Sequence, residues 1–245
     1  MDERVLRWDA CWNVRELGGF ATADGRVTRF GELIRAGNLS RLTEAGRHAL
    51  LGYGVRTVID VRDPKKFAIE RDPFQDGQRW AGQVHYLNVP LISEEEWTAV
   101  RDPEQRRQGY RLTLRLSKTN IGAVLRAIAQ AQAGGVVVHC HAGKERTGVI
   151  SALLLALAGV PAESIAEDYV ASDTQLQELY AEWAARESDP EKRSQLIHGF
   201  QSEADHMLGP LAVVAEQGGI ASYLRSGGLG EADLAALSAR ILGSA

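Results

Sequence analysis

The amino-acid sequence predicts an α/β fold in which a mostly parallel central sheet is flanked by helices, with a helical C-terminal third. Two observations support this prediction. Runs rich in β-branched residues alternate with segments of helical periodicity over the first two-thirds of the chain, a pattern typical of parallel sheets covered by helices. The last third shows only helical patterns. Strands are predicted over residues 55–61, 84–89 and 136–138.

The helices are predicted from caps and breakers. Ser40 or Thr43 caps a helix that ends at Gly52 and Gly54, because a hydroxyl accepts from the first free N–H groups and glycine accommodates the terminal turn. Thr119 or Asn120 is predicted to cap the next helix. The remaining helices are predicted over residues 121–132, 147–158, 162–171, 173–187, 210–217, 220–225 and 231–242, with a break at 188–190.

A chain of 245 residues is long enough for one large domain, so a single domain is predicted over residues 1–245. Residues 92–118 are charged and lack a clean period. They are interpreted as a solvated helical face or, as the alternative, a mobile lid. Residues 189–245 form the helical C-terminal segment. The sequence does not indicate the oligomeric state.

Composition excludes several classes of protein. The net charge is −4, whereas a nucleic-acid binder normally shows a basic footprint. The longest apolar run, over residues 149–157, is shorter than the roughly 20 residues of a membrane span. Cys11 and Cys140 are the two cysteines, too few for a disulfide framework or a four-cysteine metal site. No secretory signal is recognisable, so a cytoplasmic location is expected, with secretion without a signal peptide left open.

The segment most informative about chemistry is HCHAGKERTG, residues 139–148. It follows an apolar strand and precedes a helix expected to begin at about Arg146 or Thr147. The carboxyl end of such a strand is where open α/β sheets bind ligands. The free N–H groups at the start of the next helix favour an anion. The segment therefore predicts an anion-binding loop with a cysteine at its base.

Two residues of this loop are predicted to act directly on a phosphate. We expect Cys140 to ionise to the nucleophilic thiolate, because the helix dipole and nearby cations favour the anion. Arg146, six positions later, returns across the loop, and its planar guanidinium can hold two phosphate oxygens. The alternative for Cys140 is an ordinary buried core cysteine, which the surrounding pattern disfavours.

The remaining loop residues are predicted to contact the substrate. Gly143 lets the backbone turn so that successive N–H groups point inward, and Lys144 adds positive charge. Thr147 can donate a hydrogen bond to the sulfur. His141 is either a substrate contact or an exposed loop residue. The predicted substrate-binding residues are His141, Ala142, Gly143, Lys144 and Thr147.

Departure of the leaving group needs a proton donor, usually a carboxyl group on a neighbouring loop. Asp60 is the first candidate because it ends an apolar strand, with a structural ion pair to Arg62 or Arg15 as the alternative. Glu145 is the second candidate, with a structural pairing to Lys144 or Arg15 as its alternative. No cofactor is predicted. No metal is predicted either, because the histidines outside the loop lack ligand spacing.

The loop resembles the H-C-x5-R-[ST]-G signature of the protein tyrosine phosphatases, and more closely the H-C-x-A-G-K-D-R-T-G loop of the bacterial tyrosine/lipid phosphatases. Residues 12–19 (WNVRELGG), 35–42 (RAGNLSRL) and 57–62 (TVIDVR) also resemble motifs of that family. Glu145 and Glu16 stand where the family usually has aspartate. The resemblance implies a phosphatase-like fold, favours Asp60 as the acid, and implies hydrolysis of phosphomonoesters through a phosphocysteine.

The predicted function is therefore that of a protein-tyrosine phosphatase acting on phosphorylated proteins. One alternative is a phosphatase of the same mechanism acting on phosphoinositides or small phosphates, since Lys144 and His141 make the loop basic. A second is a phosphate-binding module without turnover. A third is a sulfur-transfer or arsenate-reducing enzyme, although Cys11 is not recognisable as the resolving cysteine that arsenate reduction usually requires.

Overall fold

The computed structural model describes residues 2–66, 70–92, 106–199 and 201–243. The described strands are β1 (Arg15–Glu16), β2 (Leu33–Ala36), β3 (Val55–Asp60), β4 (His85–Asn88) and β5 (Gly135–His139). They form one sheet in the order β1-β2-β5-β3-β4. The β1–β2 pair is antiparallel, and every other pair is parallel. This confirms the predicted α/β fold with a mostly parallel sheet.

Helices cover the sheet and form the C-terminal third. Two short 3-10 helices span Leu39–Arg41 and Pro64–Lys66. The described α-helices are α1 (Glu44–Gly52), α2 (Arg106–Leu116), α3 (Lys118–Ala129), α4 (Glu145–Leu157), α5 (Ala162–Val170), α6 (Ser172–Gln175), α7 (Gln177–Ala185), α8 (Pro190–Gly199), α9 (Asp205–Glu216), α10 (Ile220–Ser226) and α11 (Glu231–Leu242).

Several helix boundaries differ from the sequence prediction. Thr43 caps α1 as one of the two predicted candidates, since its hydroxyl accepts from the Gly46 N–H at 3.1 Å. The predicted caps of α3 are wrong: Thr119 and Asn120 lie inside the helix, which follows Ser117. The segment predicted as one helix over 173–187 divides at Leu176, which is fully buried.

The helix α8 was missed by the sequence analysis. Residues 188–190 were interpreted as a break, but Asp189 caps a helix. Its carboxylate accepts from the N–H groups of Glu191 at 2.9 Å and Lys192 at 3.3 Å. Pro190 takes the first helical position, where a missing N–H costs nothing. The same Asp-Pro pair therefore signals a helix start as well as a break.

Both faces of the sheet are buried. Along β5, Val136 and Val138 belong to the larger hydrophobic cluster, which includes much of α3 and α4. Val137 points to the other face and packs in a second cluster with Leu50 of α1. Alternate side chains of a strand point to opposite faces, so burial on both sides explains why β5 is apolar throughout.

The strand register brings three loops together at the carboxyl ends of the parallel strands. Asp60 at the end of β3 is aligned with His139 at the end of β5, and Ala36 at the end of β2 is aligned with the same histidine. These strands are parallel, so their carboxyl ends share an edge of the sheet. The segments that follow them, beginning at Gly37, Val61 and Cys140, are therefore neighbours.

The lid proposed for residues 92–118 stays a prediction, because 93–105 lie outside the described residues. At the other end of that segment, Tyr110 and Leu114 of α2 are buried in the larger cluster. Within the described chain, none of the helices combines the length and apolar character that crossing a bilayer requires.

Truncating the core should destabilise the fold strongly. Leu125 of α3 is fully buried, and we expect Leu125→Ala to lower the free energy of unfolding by about 2–5 kcal/mol, because the lost contacts leave a cavity. Leu116→Ala is the control, since that side chain is 70% exposed. Urea unfolding followed by circular dichroism measures both. Equal losses in the two variants would contradict the assigned core.

Candidate active site

The segment after β5 forms a tight loop over residues 140–144, and α4 begins at Glu145, slightly earlier than predicted. Four residues of the loop and first helical turn donate no hydrogen bond from their backbone N–H to the described part of the chain: His141, Ala142, Gly143 and Glu145. Unpaired N–H groups at a helix start form an anion-binding site. The loop is therefore equipped to bind phosphate.

The carbonyl groups of the loop are held from the opposite side. The Asn13 side-chain amide donates to the carbonyls of Ala142 and Gly143, both at 3.0 Å. Arg35 of β2 donates to the Gly143 carbonyl at 2.7 Å. Asn13 itself has φ of 59°, a left-handed conformation that asparagine tolerates better than most residues. These contacts fix the peptide planes and leave the N–H side of the loop available.

Gly143 cannot be replaced without moving the backbone. Its φ is 65°, which favours glycine. A Cβ at this position would lie 2.3 Å from the Ala36 carbonyl oxygen and 2.6 Å from the Gly37 nitrogen. Glycine is therefore required at position 143 for two reasons, the predicted backbone conformation and the close packing of the loop against the end of β2.

Beneath the loop, one carboxylate joins two buried arginines. Arg15 of β1 and Arg35 of β2 are register partners in the antiparallel pair, and Asp168 of α5 lies between them. Its oxygens accept from Arg15 Nε at 3.2 Å and Arg35 Nη1 at 2.5 Å. Burial opposes ionisation of Asp168, but the two arginines outweigh it and lower its pKa to about 2. Asp168 therefore stays ionised at neutral pH.

Cys140 lies at the base of the loop. The residue is 1% exposed and packs against the larger hydrophobic cluster. Beside it a cavity of about 510 Å³ opens, and His141 is among its lining residues. His141, the residue after Cys140, lines this cavity, whereas Cys140 itself does not.

The two acid candidates differ sharply. Asp60 is fully buried and accepts from Arg62 Nη2 at 2.7 Å, from Arg62 Nε at 3.0 Å and from the Tyr86 hydroxyl at 3.0 Å. Burial favours protonation of Asp60, but His139 and Arg62 outweigh it and hold its pKa below the usual value. Glu145 is half-buried in the first turn of α4, and within the described residues its carboxylate has no hydrogen-bonding partner.

His139 is enclosed between two carboxylates. Its Nε2 lies 3.3 Å from Asp72 Oδ2 and 3.8 Å from Asp60 Oδ2, and its Nδ1 lies 3.3 Å from the Cys140 carbonyl oxygen. The ligand atoms of these three side chains are close enough together to hold a metal ion. Arg62 already neutralises Asp60, so the donor set suits an internal ion-pair network better than a dication.

Arg146 and Thr147 follow in α4. Both are buried. The Thr147 hydroxyl has no hydrogen-bond partner among the described residues, and a buried unsatisfied hydroxyl is costly. Its placement two residues into the helix that begins at the loop is consistent with the predicted contact to the sulfur.

The Lys144 side chain contacts residues of α6 and α7. Its ammonium group lies 3.1 Å from Asp173 Oδ1 and 3.2 Å from the Tyr180 hydroxyl, and it is buried. Asp173 also accepts from the Ser202 hydroxyl at 2.6 Å. These contacts give Lys144 a role in tying the loop to the C-terminal helices, in addition to the positive charge that the sequence predicts there.

The cavity wall, here called the rim, combines aromatic and charged side chains. His141 stacks on Trp183 with ring centroids 5.2 Å apart, and its Nδ1 lies 3.4 Å from Glu70 Oε2. The rim also includes Trp12, Arg41, Arg71 and Arg186.

A sequence model of the tyrosine phosphatase family matches residues 6–243 of the chain. The chain belongs to the tyrosine phosphatase family. A tyrosine-protein phosphatase of Nostoc commune is 32% identical over 219 residues, covering 85% of this chain and 73% of the relative. The triple specificity protein phosphatase PtpB of Mycobacterium tuberculosis is 26% identical over 283 positions, covering 98% of this chain and 99% of PtpB.

Family membership confirms the predicted function as a phosphatase and the predicted resemblance. Sequence reasoning nevertheless missed several residues that shape the phosphatase site: Asn13, Arg35, Glu70, Asp168 and Trp183. Asn13 and Arg35 lie inside segments 12–19 and 35–42, which resemble family motifs. The resemblance therefore marked these two positions but gave them no role. Asp168 and Trp183 lie in ordinary helical patterns, which give no sign of their contacts.

Removing the Asp168 carboxylate, which Arg15 and Arg35 share, should destabilise this phosphatase strongly. We expect Asp168→Asn to lower the free energy of unfolding by about 3–5 kcal/mol, because two buried guanidinium groups lose their counter-charge. Asp24→Asn, at an exposed pair with Arg26, is the control and should leave the urea midpoint almost unchanged. A urea midpoint for Asp168→Asn that equals the midpoint of the control variant would contradict the structural role of the ion pairs of Asp168 with Arg15 and Arg35.

The same carboxylate predicts a pH dependence. The folded-state pKa of Asp168 is lowered to about 2, below the ordinary value near 4. Its contribution to stability is therefore complete above pH ~4 and is lost as the pH falls toward 2. Unfolding measured from pH 5 to pH 2 should show a smaller acid-induced loss in Asp168→Asn than in the parent.

Proposed function

We propose that this phosphatase hydrolyses phosphotyrosine through a covalent phosphocysteine at Cys140. The observation that carries the proposal is the fixed loop. Its carbonyls are bound from behind by Asn13 and Arg35, and its N–H groups are left for the equatorial phosphate oxygens. Arg146, at the start of α4, is expected to donate to the same oxygens. Fixed donors stabilise charge in the transition state without reorganising.

In the first step, the Cys140 thiolate attacks phosphorus opposite the leaving oxygen. The S–P bond forms as the P–O bond to the leaving group breaks. The leaving oxygen takes a proton from a carboxyl group and departs as an alcohol or phenol. Thr147, whose hydroxyl lacks another partner in the described chain, donates a hydrogen bond that favours the ionised sulfur.

In the second step, water attacks the phosphorus of the phosphocysteine. The now ionised carboxylate accepts a proton from that water, the P–S bond breaks, and inorganic phosphate leaves. The thiolate and the protonated acid are regenerated. The loop and Arg146 hold the same oxygens in both steps, so a single arrangement serves both transition states.

We assign the acid role to Glu145 in preference to Asp60. A donor must carry a proton at the start of the cycle, and Asp60 is held ionised by His139 and Arg62. Its three contacts from Arg62 and Tyr86 also occupy its oxygens. These observations favour the structural alternative for Asp60. Glu145 adjoins the loop and has no competing partner in the described chain.

The rim favours an aromatic phosphate ester. Trp12 and Trp183 line the cavity, and aromatic faces stack well on a phenyl ring. The three rim arginines support the second candidate, a polyphosphorylated phosphoinositide headgroup, and the name of PtpB records more than one specificity for that relative. We further propose one phosphatase domain over residues 1–245 that works in the cytoplasm, where a thiol nucleophile stays reduced.

Removing the sulfur nucleophile should abolish turnover. We expect Cys140→Ser to lower phosphate release from p-nitrophenyl phosphate by roughly 10⁴-fold or more, and Arg146→Lys to lower it by about 10²–10³-fold, because a point charge cannot replace two parallel hydrogen bonds. Cys11→Ser is the matched control and should retain activity. Equal losses at both cysteines, or phosphate binding by an inactive parent, would contradict the mechanism.

The acid assignment predicts a dependence on the leaving group. Glu145→Gln should slow the hydrolysis of alkyl phosphates by about 10²-fold. The hydrolysis of nitrophenyl phosphate should slow much less, because a good leaving group needs no proton. Asp60→Asn should lower stability instead, since it weakens the pairing of buried Arg62. Single-turnover rates for a series of aryl and alkyl phosphates distinguish the two. A loss in Glu145→Gln that is the same for every leaving group would exclude it as donor.

A further inference from the structure

One acidic side chain neutralises two cations of the rim. Glu182 of α7 accepts from Arg41 Nη1 through both oxygens, at 3.0 Å and 2.8 Å, and it also pairs with Arg186 one helical turn later. Both arginines line the cavity beside the loop. Each is about half exposed or more, whereas the carboxylate is 30% exposed. The carboxylate therefore lies behind the cations it neutralises.

The same contacts order the aromatic part of the rim. The Arg41 guanidinium lies 4.6 Å from the centre of the Trp12 ring, a cation–π distance. Trp183, the neighbour of Glu182 on α7, stacks on His141. Residues 182–186, at the end of α7 and just after it, thus supply the anion Glu182, the aromatic ring of Trp183 and the cation Arg186. Through Trp183 this segment contacts His141, the first residue after Cys140.

We propose that Glu182 is a specificity-determining residue. By neutralising Arg41 and Arg186, it keeps the rim selective for a single phosphate on an aromatic ring and weakens the binding of substrates that carry a second phosphate, such as phosphoinositide headgroups. This inference deepens the proposed function and rests on it for the identity of the reacting phosphate. The charge balance supports it: Glu70 lies against His141 on the same rim, so a second carboxylate lowers the positive charge that an incoming polyanion meets.

The effect of the charge should be moderate and salt-dependent. Arg41 and Arg186 face solvent, where charge interactions are screened. Removing the carboxylate leaves both guanidinium groups available to a second phosphate, because each has Glu182 as its ion-pair partner in the described chain. The change should appear as a lower KM for polyphosphorylated substrates, since the rim contacts the part of the substrate that does not react.

The test compares Glu182→Gln with the parent. The measured quantity is kcat/KM for a short-chain phosphatidylinositol bisphosphate divided by kcat/KM for p-nitrophenyl phosphate. We expect the ratio to rise roughly three- to tenfold at low salt, as for loss of one or two exposed charge interactions. Glu178→Gln, an exposed glutamate one turn earlier on α7, removes the same charge and should leave the ratio unchanged. An unchanged ratio in Glu182→Gln, or an equal rise in Glu178→Gln, would overturn the proposal.

Two further variants separate this proposal from the mechanism. Adding Arg41→Gln and Arg186→Gln to Glu182→Gln should remove the gain, and a gain that survives would contradict the assigned cations. Binding is also measured by calorimetry in the Cys140→Ser background with inositol hexakisphosphate as the polyanion and inorganic phosphate as the reference. Glu182→Gln should strengthen polyanion binding about three- to tenfold, whatever the outcome for turnover. Failure of the parent to release phosphate would count against the proposed function alone.

Discussion

The buried ion pairs of Asp168 with Arg15 and Arg35 underlie the rest of the site. The antiparallel register places the two arginines opposite each other, and like charges in that position repel. The carboxylate from α5 removes the repulsion and satisfies both side chains. Arg35 can then donate to the loop, while Arg15 contacts the Asn13 side chain that holds the neighbouring carbonyls. The loop conformation is therefore set by charges buried beneath it.

The protein carries net negative charge, yet the loop after β5 presents backbone N–H groups that suit an anion. Local geometry explains the contrast, because three carboxylates near the loop are paired with cations, whereas Glu145 has no partner among the described residues. Asp60 pairs with Arg62, Asp168 with two arginines, and Asp173 with Lys144. The backbone N–H groups of His141, Ala142, Gly143 and Glu145 then remain without a partner in the described chain. Net charge describes the surface, whereas the field in a cleft depends on which charges are paired.

The C-terminal helices take part in the site as well as covering the sheet. Asp173 of α6 connects Lys144 to Ser202, and Trp183 of α7 stacks on His141. Leu176, between these helices, packs with Ala142 in a small hydrophobic cluster. The division of the predicted helix at Leu176 has a physical consequence: it lets α6 support the loop from one direction while α7 forms the cavity wall.

The sequence alone determined the alternation of strands and helices, the end of β5 at the loop, and the cysteine–arginine spacing, because these depend on residues close together in the chain. It left open whether Asp60 or Glu145 is the acid, and it predicts Lys144 as a substrate contact without indicating its pairing with Asp173. It did not indicate Asp168, Glu70 or Glu182. Contacts of Lys144, Asp168 and Glu182 join residues more than 20 positions apart, such as Arg35 with Asp168 or Arg41 with Glu182. Asp60 instead pairs with Arg62, two positions away, which the sequence offers only as an alternative to an acid role. Only the tertiary structure decides which charges pair, because a buried charge takes the partner that packing places within reach.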